Sequence, residues 1–188
     1  MRSRGLRSLA GALALAVLMA AAAFAAPEKS TWGIPNASFP LPGVMAAGQP
    51  TGTQIQLMVE EGGYRTLIDL RAPDEQRGFD EAETARQIGL TYVNVPVTPA
   101  TLDQATIDRF LNAFRKAERP VLLHCSTSNR VGAMLYAWLV LEKKEFPEKA
   151  LEQARAAGLR SPEMAEKVQK LVAERQGAPA RPAPRPRR

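Results

Sequence analysis

The sequence predicts an α/β fold, a mainly parallel central sheet of about four to five strands flanked by helices. Three observations predict it. Short apolar or β-branched runs, at Val44 to Ala47, Tyr64 to Leu70, Leu90 to Val95 and Val121 to His124, alternate with helical patterns. Turn formers mark the boundaries, among them Gly62-Gly63, Gly89, Pro120, Pro147 and Gly158. Each strand is separated from the next by a helix-length connection, as parallel neighbours require.

The elements follow in order. PEKSTWGIPNASFPLPG, residues 27 to 43, is dense in Pro, Gly and Ser and reads as an extended lead-in. Val44 to Ala47 is a short strand. Thr51 or Thr53 caps a helix through about Glu61, which Gly62-Gly63 stops. YRTLIDL, from Tyr64 to Leu70, has the character of a buried strand. FDEAETARQI at 79 to 88 is a helix ended by Gly89, and LTYVNV at 90 to 95 the next strand. After Thr101, the residues Leu102, Ile107, Phe110, Leu111 and Phe114 fall near one face of a longer helix. Pro120 ends that connection and Val121 to His124 is the last strand. Helices are expected over about 130 to 144, 147 to 157 and 162 to 175.

The two ends differ from the body. Residues 1 to 25 begin with Arg2, Arg4 and Arg7, continue as an apolar stretch and finish in Ala23-Phe24-Ala25, the form of a signal peptide cleaved after Ala25. A periplasmic or secreted protein is expected, with an uncleaved N-terminal anchor as the alternative. The apolar stretch is shorter than the roughly 20 residues, with polar flanks, of a stable span, so none remains once the signal is removed. GAPARPAPRPRR, from Gly177, cannot bury apolar surface and is expected to be disordered. Three of the 25 basic residues lie in the signal and four in this tail, leaving 18 against 19 acidic residues between them. The net charge of +6 therefore does not argue for a nucleic-acid partner.

The chain has one cysteine and one histidine, and they are adjacent at His124-Cys125. A lone cysteine in an exported protein has no disulfide partner and is either inert in a core or reactive. Here it stands at a strand end, where α/β sheets build their sites, and a helix begins near Arg130. The backbone N–H groups of Ser126, Thr127, Ser128, Asn129 and Arg130 would then gather at a helix N-terminus, an arrangement that binds oxyanions and stabilises a thiolate. Arg130 offers a planar fork for two phosphate oxygens, and the hydroxyls of the short polar loop residues can bond sulfur or anion. His124 is expected to point away from Cys125 and to shape the loop as a core residue rather than transfer a proton. One His and one Cys without convergent ligand spacing imply no metal.

HCSTSNRVGA, at 124 to 133, resembles the active-site loop of cysteine-dependent phosphatases, specifically the small bacterial dual-specificity-like branch related to the beta-lactamase hydrolase-like phosphatases. AGQPT at 47 to 51, TLIDLRAPDE at 66 to 75, YVNVPV at 92 to 97 and AGLRSPEM at 157 to 164 extend the resemblance over most of residues 44 to 170. It implies a cysteine-phosphatase-like fold over 44 to 176, with Cys125 as nucleophile and Arg130 as the phosphate-binding arginine. Such enzymes use an aspartate before the cysteine strand as general acid, and Asp103 is the best placed, although an acid in a first helical turn also serves the helix dipole. Asp69 and Arg71, at another strand end, could face the same site, Arg71 adding positive charge and Asp69 holding it or Arg130.

The loop departs from the general motif at three places. Four residues separate Cys125 from Arg130 where five are usual, a length similar to that of rhodanese-type sulfurtransferases. Ser128 stands where related loops carry glycine, at a position suited to positive φ. Val131 replaces a common hydroxyl. The expected function is an exported, monomeric, cofactor-free phosphatase of protein tyrosine or dual-specificity type, acting on a phosphorylated protein or small phosphate ester through a phosphocysteine. The alternatives are a sulfurtransferase carrying a persulfide and an oxyanion-binding module without turnover.

Overall fold

The computed structural model describes residues 30–75 and 78–177; the expected signal peptide and the tail beyond Gly177 lie outside the described residues. Strands β1 (Ser38–Leu41) and β2 (Val44–Ala47) are followed by α1 (Gly52–Gly62), β3 (Thr66–Asp69), α2 (Glu81–Gln87) and β4 (Thr91–Asn94). Then come α3 (Gln104–Lys116), β5 (Val121–His124), α4 (Asn129–Leu141), α5 (Pro147–Ala156) and α6 (Pro162–Gly177). The five strands form one sheet in the order β1-β2-β5-β3-β4. All neighbours run parallel except β1, which pairs antiparallel with β2.

The expected α/β architecture, a mainly parallel sheet of five strands flanked by helices, is therefore present, with one strand placed where the sequence suggested only an extended lead-in. β1 contains Pro40, and an edge strand tolerates a residue that cannot donate to the ladder. The lead-in before it is docked as well. Ile34 is buried in the core, and Trp32 donates its indole N–H to Glu61 at 2.7 Å and meets Tyr64 edge to face.

Local chemistry sets the helix ends. Thr51 accepts from the Gln54 N–H while the Gln54 side chain accepts from the Thr51 N–H, closing a capping box on α1. Gly63, in the left-handed region at φ 63°, ends that helix, its N–H reaching the Val59 carbonyl. Asp80 caps α2, and Pro147 opens α5.

The sheet separates two cores. Ile68, Val121 and Leu123 pack toward α3, α4, α5 and α6, whereas Met45, Leu67 and Leu122 pack toward α1, α2 and the lead-in. Every residue of α4 from Val131 to Val140 is buried, as expected for a helix apolar on all sides. Phe114 stacks on Phe110 and meets Trp138 of α4 edge to face, tying α3 to that central helix. Register then prepares the site. Ala47 and Asp69 both stand opposite His124, and Asn94 opposite Asp69, so four strands end level at one carboxyl edge.

Candidate active site

Cys125 is the first residue past that edge. Strand alternation carries Val121, Leu123 and Cys125 to the α4 face and leaves His124 on the other, so the adjacent pair diverges. The Cys125 N–H donates to Ala47 O at 3.3 Å, Gln49 N–H donates to Ser126 O at 3.3 Å, and Gly48 forms an antiparallel bridge with Thr127, so the chain after β2 fastens the loop after β5. Cys125 itself is 0 % exposed, at the foot of that loop.

Ser128 is the N-cap of α4 at φ 67°, the left-handed region inferred from its glycine-like position. Its hydroxyl makes no cap bond but donates to Ala157 O at 2.7 Å, and the residue is buried. Asn129 likewise turns outward, its Oδ1 accepting from the N–H groups of Arg160 at 2.7 Å and Ser161 at 2.9 Å. The side chains of Ser128 and Asn129 thus fix the loop instead of meeting a substrate, which corrects their expected role. Among the described residues the bridge between Gly48 and Thr127 engages the middle of the loop and Gly132 N–H donates to Ser128 O at 3.0 Å, which leaves the first-turn amides of α4, at Asn129, Arg130 and Val131, for an anion.

Arg130 has a partner that the sequence does not single out. Its Nη1 and Nη2 donate to Glu75 Oε1 at 2.5 Å and Oε2 at 2.8 Å, an end-on bidentate pair. Nη2 also donates to Ser126 Oγ at 2.9 Å, and that hydroxyl donates to Glu75 Oε2 at 2.8 Å. The Arg130 hydrogen bonds, against partial burial, hold the Glu75 carboxyl at about 2. Glu75 is therefore a permanent anion at neutral pH. Its hold on Arg130, then the charge of Cys125 nearby, raise the guanidinium above its ordinary value despite burial. The fork expected to grip a phosphate is thus engaged by Glu75, and among the described residues Nε is the Arg130 donor without an oxygen acceptor. Glu75 is recognisable from the sequence only by its place in the loop after β3, at the same sheet edge as Cys125.

Asp69 and Arg71 pair as expected but do not face the anion. Arg71 is 0 % exposed, which corrects its reading as a substrate-binding residue. Its Nε donates to Asp69 Oδ1 at 2.9 Å and its Nη2 to Glu81 Oε2 at 2.6 Å. His124 lies against the same carboxylates, its Nε2 3.3 Å from Glu81 and 3.8 Å from Asp69, a core histidine. Burial works against the Asp69 charge, yet the Arg71 hydrogen bonds and the charges of His124 and Arg71 outweigh it and hold the carboxyl at about 2. Ligand atoms of Asp69, Glu81 and His124 lie within 4.8 Å of one another, a spacing a cation could use, and the Arg71 guanidinium supplies the counter-charge there.

Asp103 is the N-cap of α3, its Oδ1 accepting from Thr106 N–H at 2.7 Å. That hydrogen bond holds the exposed carboxyl below its ordinary range, the wrong direction for a group that must carry a proton. The general-acid expectation gives way to a structural role. Asp103→Asn, which keeps a capping oxygen, is expected to leave the melting temperature unchanged and kcat on an aryl phosphate within about threefold of wild type, whereas loss of a true acid costs about 10²–10⁴ in rate. Asp103→Ala is expected to lower the melting temperature by about 2–4 °C. A hundredfold fall in kcat for Asp103→Asn at unchanged melting temperature would restore the acid role.

Residues 43–172 match the family model described as a DSP-PTPase phosphatase fused to NAD+ kinase. The chain is similar to the beta-lactamase hydrolase-like protein of Xylella fastidiosa, 38 % identical over 95 residues, covering 48 % of this chain and 22 % of that protein's length. Its fold is similar to that of a candidate phosphatase (DUF442) of Shewanella putrefaciens CN-32, at TM-score 0.64 and 20 % identity over 76 % of this chain and 94 % of that one. It is also similar to that of P. aeruginosa TpbA, solved in complex with pTyr, at TM-score 0.60 and 18 % identity over 77 % and 86 % of the two chains.

Proposed function

The chain belongs to the family of DSP-PTPase phosphatases fused to NAD+ kinase, and on that premise we propose that it is a cysteine-dependent phosphatase forming a phosphocysteine at Cys125. The observation that carries this reading is the loop between β5 and α4, with Cys125 at its foot, the first-turn amides of Asn129, Arg130 and Val131 at the start of α4, and the Arg130 side chain folded back onto Ser126. The thiolate attacks phosphorus, the bond to the ester oxygen breaks, and that oxygen leaves with a proton from solvent. Water then attacks the phosphocysteine, the P–S bond breaks, and inorganic phosphate and the thiolate are released. The amides and the Nε edge of Arg130 stabilise the charge on the equatorial oxygens in both steps. With Asp103 committed to its cap, aryl esters, whose leaving oxygens need least protonation, are the favoured substrates, as in phosphotyrosyl proteins or small aryl phosphates.

The test is hydrolysis of an aryl phosphate by the protein from Ala26 onward, with Cys125→Ser as the comparison. Turnover in the first and none in the second is the expected result. Absence of turnover from pH 5 to 8 in both would overturn it, and a gain of one sulfur on Cys125 after thiosulfate treatment would favour sulfur transfer, which the short loop also fits. Export is part of the proposal, supported by the composition of residues 1–25. It is checked by N-terminal sequencing, and a cytoplasmic protein retaining those residues counts against it.

A further inference from the structure

We propose that Arg160 makes the site selective for phosphate esters carrying a second anionic group next to the scissile phosphate, an inference that rests on the phosphatase reading above. Arg160 lies in the linker between α5 and α6, and that linker is fastened to the anion loop. Ser128 Oγ holds the Ala157 carbonyl at 2.7 Å, and Asn129 Oδ1 holds the N–H groups of Arg160 and Ser161. At Gly158 a Cβ would stand 2.7 Å from Ser128 Cβ, so a glycine is what allows so close an approach. Ser128 and Asn129, the loop side chains turned from the anion, therefore set where Arg160 stands.

The exposed guanidinium rests against the loop rim, Nη1 3.4 Å from Thr127 O and Nη2 3.3 Å from Asn36 Oδ1. Both partners are neutral acceptors. Among the described residues no carboxylate pairs with Arg160, whereas Arg130 across the loop is neutralised by Glu75. Among the described residues Arg160 is thus a cation at the rim without a carboxylate partner, with donors of its five-N–H fork still to satisfy. A loop whose amides line a cradle turns its carbonyls outward, so a guanidinium on the Thr127 carbonyl stands outside the cradle wall. It is placed for a neighbouring anion and not for the phosphate being cleaved. An acidic side chain beside a phosphotyrosine and the second phosphate of a small aryl bisphosphate supply the same chemistry.

The experiment compares kcat/KM for phenyl phosphate, an aryl bisphosphate, and phosphotyrosyl peptides with Asp or Ala beside the phosphoresidue, in wild type, Arg160→Ala and Arg160→Lys. Wild type is expected to favour the doubly anionic substrates by about fivefold, mostly through KM, and less at high salt. Arg160→Ala is expected to lose that preference while keeping kcat/KM for phenyl phosphate within about twofold, and Arg160→Lys to recover part of it. The peptide and bisphosphate arms tell the two sources apart. Equal preference in wild type and Arg160→Ala overturns the inference. If no substrate is turned over, the phosphatase reading fails by itself. Binding of the same ligands to Cys125→Ser, with and without Arg160→Ala, then decides on Arg160, and equal affinities overturn it.

Discussion

Arg71→Met is expected to destabilise the protein by about 3–5 kcal/mol, read from the midpoint and slope of denaturant unfolding. The volume of the side chain is roughly kept, so packing is not the main loss. What is lost is a guanidinium that contacts both Asp69 and Glu81, each of them buried. Two carboxylates then remain out of water beside a histidine, and a buried ion pair broken on one side costs more than the intact pair contributes. The sign of the pH dependence separates this cause from poor packing. In wild type the Asp69 carboxyl is held at about 2, below its ordinary 3.8, so its contribution is present above pH 3.8 and lost as pH falls toward 2. Without Arg71 the same burial raises the folded-state value, so stability is present at low pH and lost as pH rises. The gap between wild type and variant should therefore narrow from pH 7 to pH 4. A second variant, Asp69→Asn with Glu81→Gln in the Arg71→Met background, should recover part of the loss. A gap that is constant with pH, with no recovery, would assign the effect to packing.

Cys125 and Arg130 were legible because strand, short polar loop and helix follow one another within the span from Val121 to Leu141, and local rules place amides at the start of that helix. The positive φ of Ser128 was legible for the same reason. Arg71 was not, because the rule that strand ends face the site says nothing of depth. Its partner Glu81 lies in α2, and only the packing of that helix shows that the arginine is enclosed. Glu75 is separated from Arg130 by 55 residues, and in PDEQRG it reads as one more loop charge. β1 escaped because Pro40 and Pro42 interrupt any strand pattern, and only an edge position next to β2 makes the short run SFPL pair. Sequence showed which segments meet at the carboxyl edge of the sheet; long-range pairing decided which charges face that edge.

Glu75→Gln is expected to lower kcat on an aryl phosphate by about a hundredfold while leaving phosphate inhibition no weaker than in wild type. The two effects run in opposite directions because Glu75 does two things. As a bidentate partner it fixes the plane of Arg130, which on the proposed phosphatase reading holds the guanidinium ready for the equatorial oxygens as charge builds on them. As an anion held at about 2, it also places a full negative charge beside the site at every working pH, which opposes the binding of a phosphate dianion. Glutamine keeps one acceptor and removes the charge. A loosened Arg130 can still follow a bound phosphate, so ground-state affinity is maintained or improved. It no longer waits in the transition-state geometry, and a displacement of about 1 Å is enough to cost two orders of magnitude. Glu75→Asp keeps the charge but shortens the reach, so it should recover little of kcat and none of the gain in affinity. Damage to the loop as a whole would weaken phosphate binding and turnover together. A parallel loss of both in Glu75→Gln, at unchanged thermal stability, would mean that Glu75 holds the loop rather than orienting Arg130.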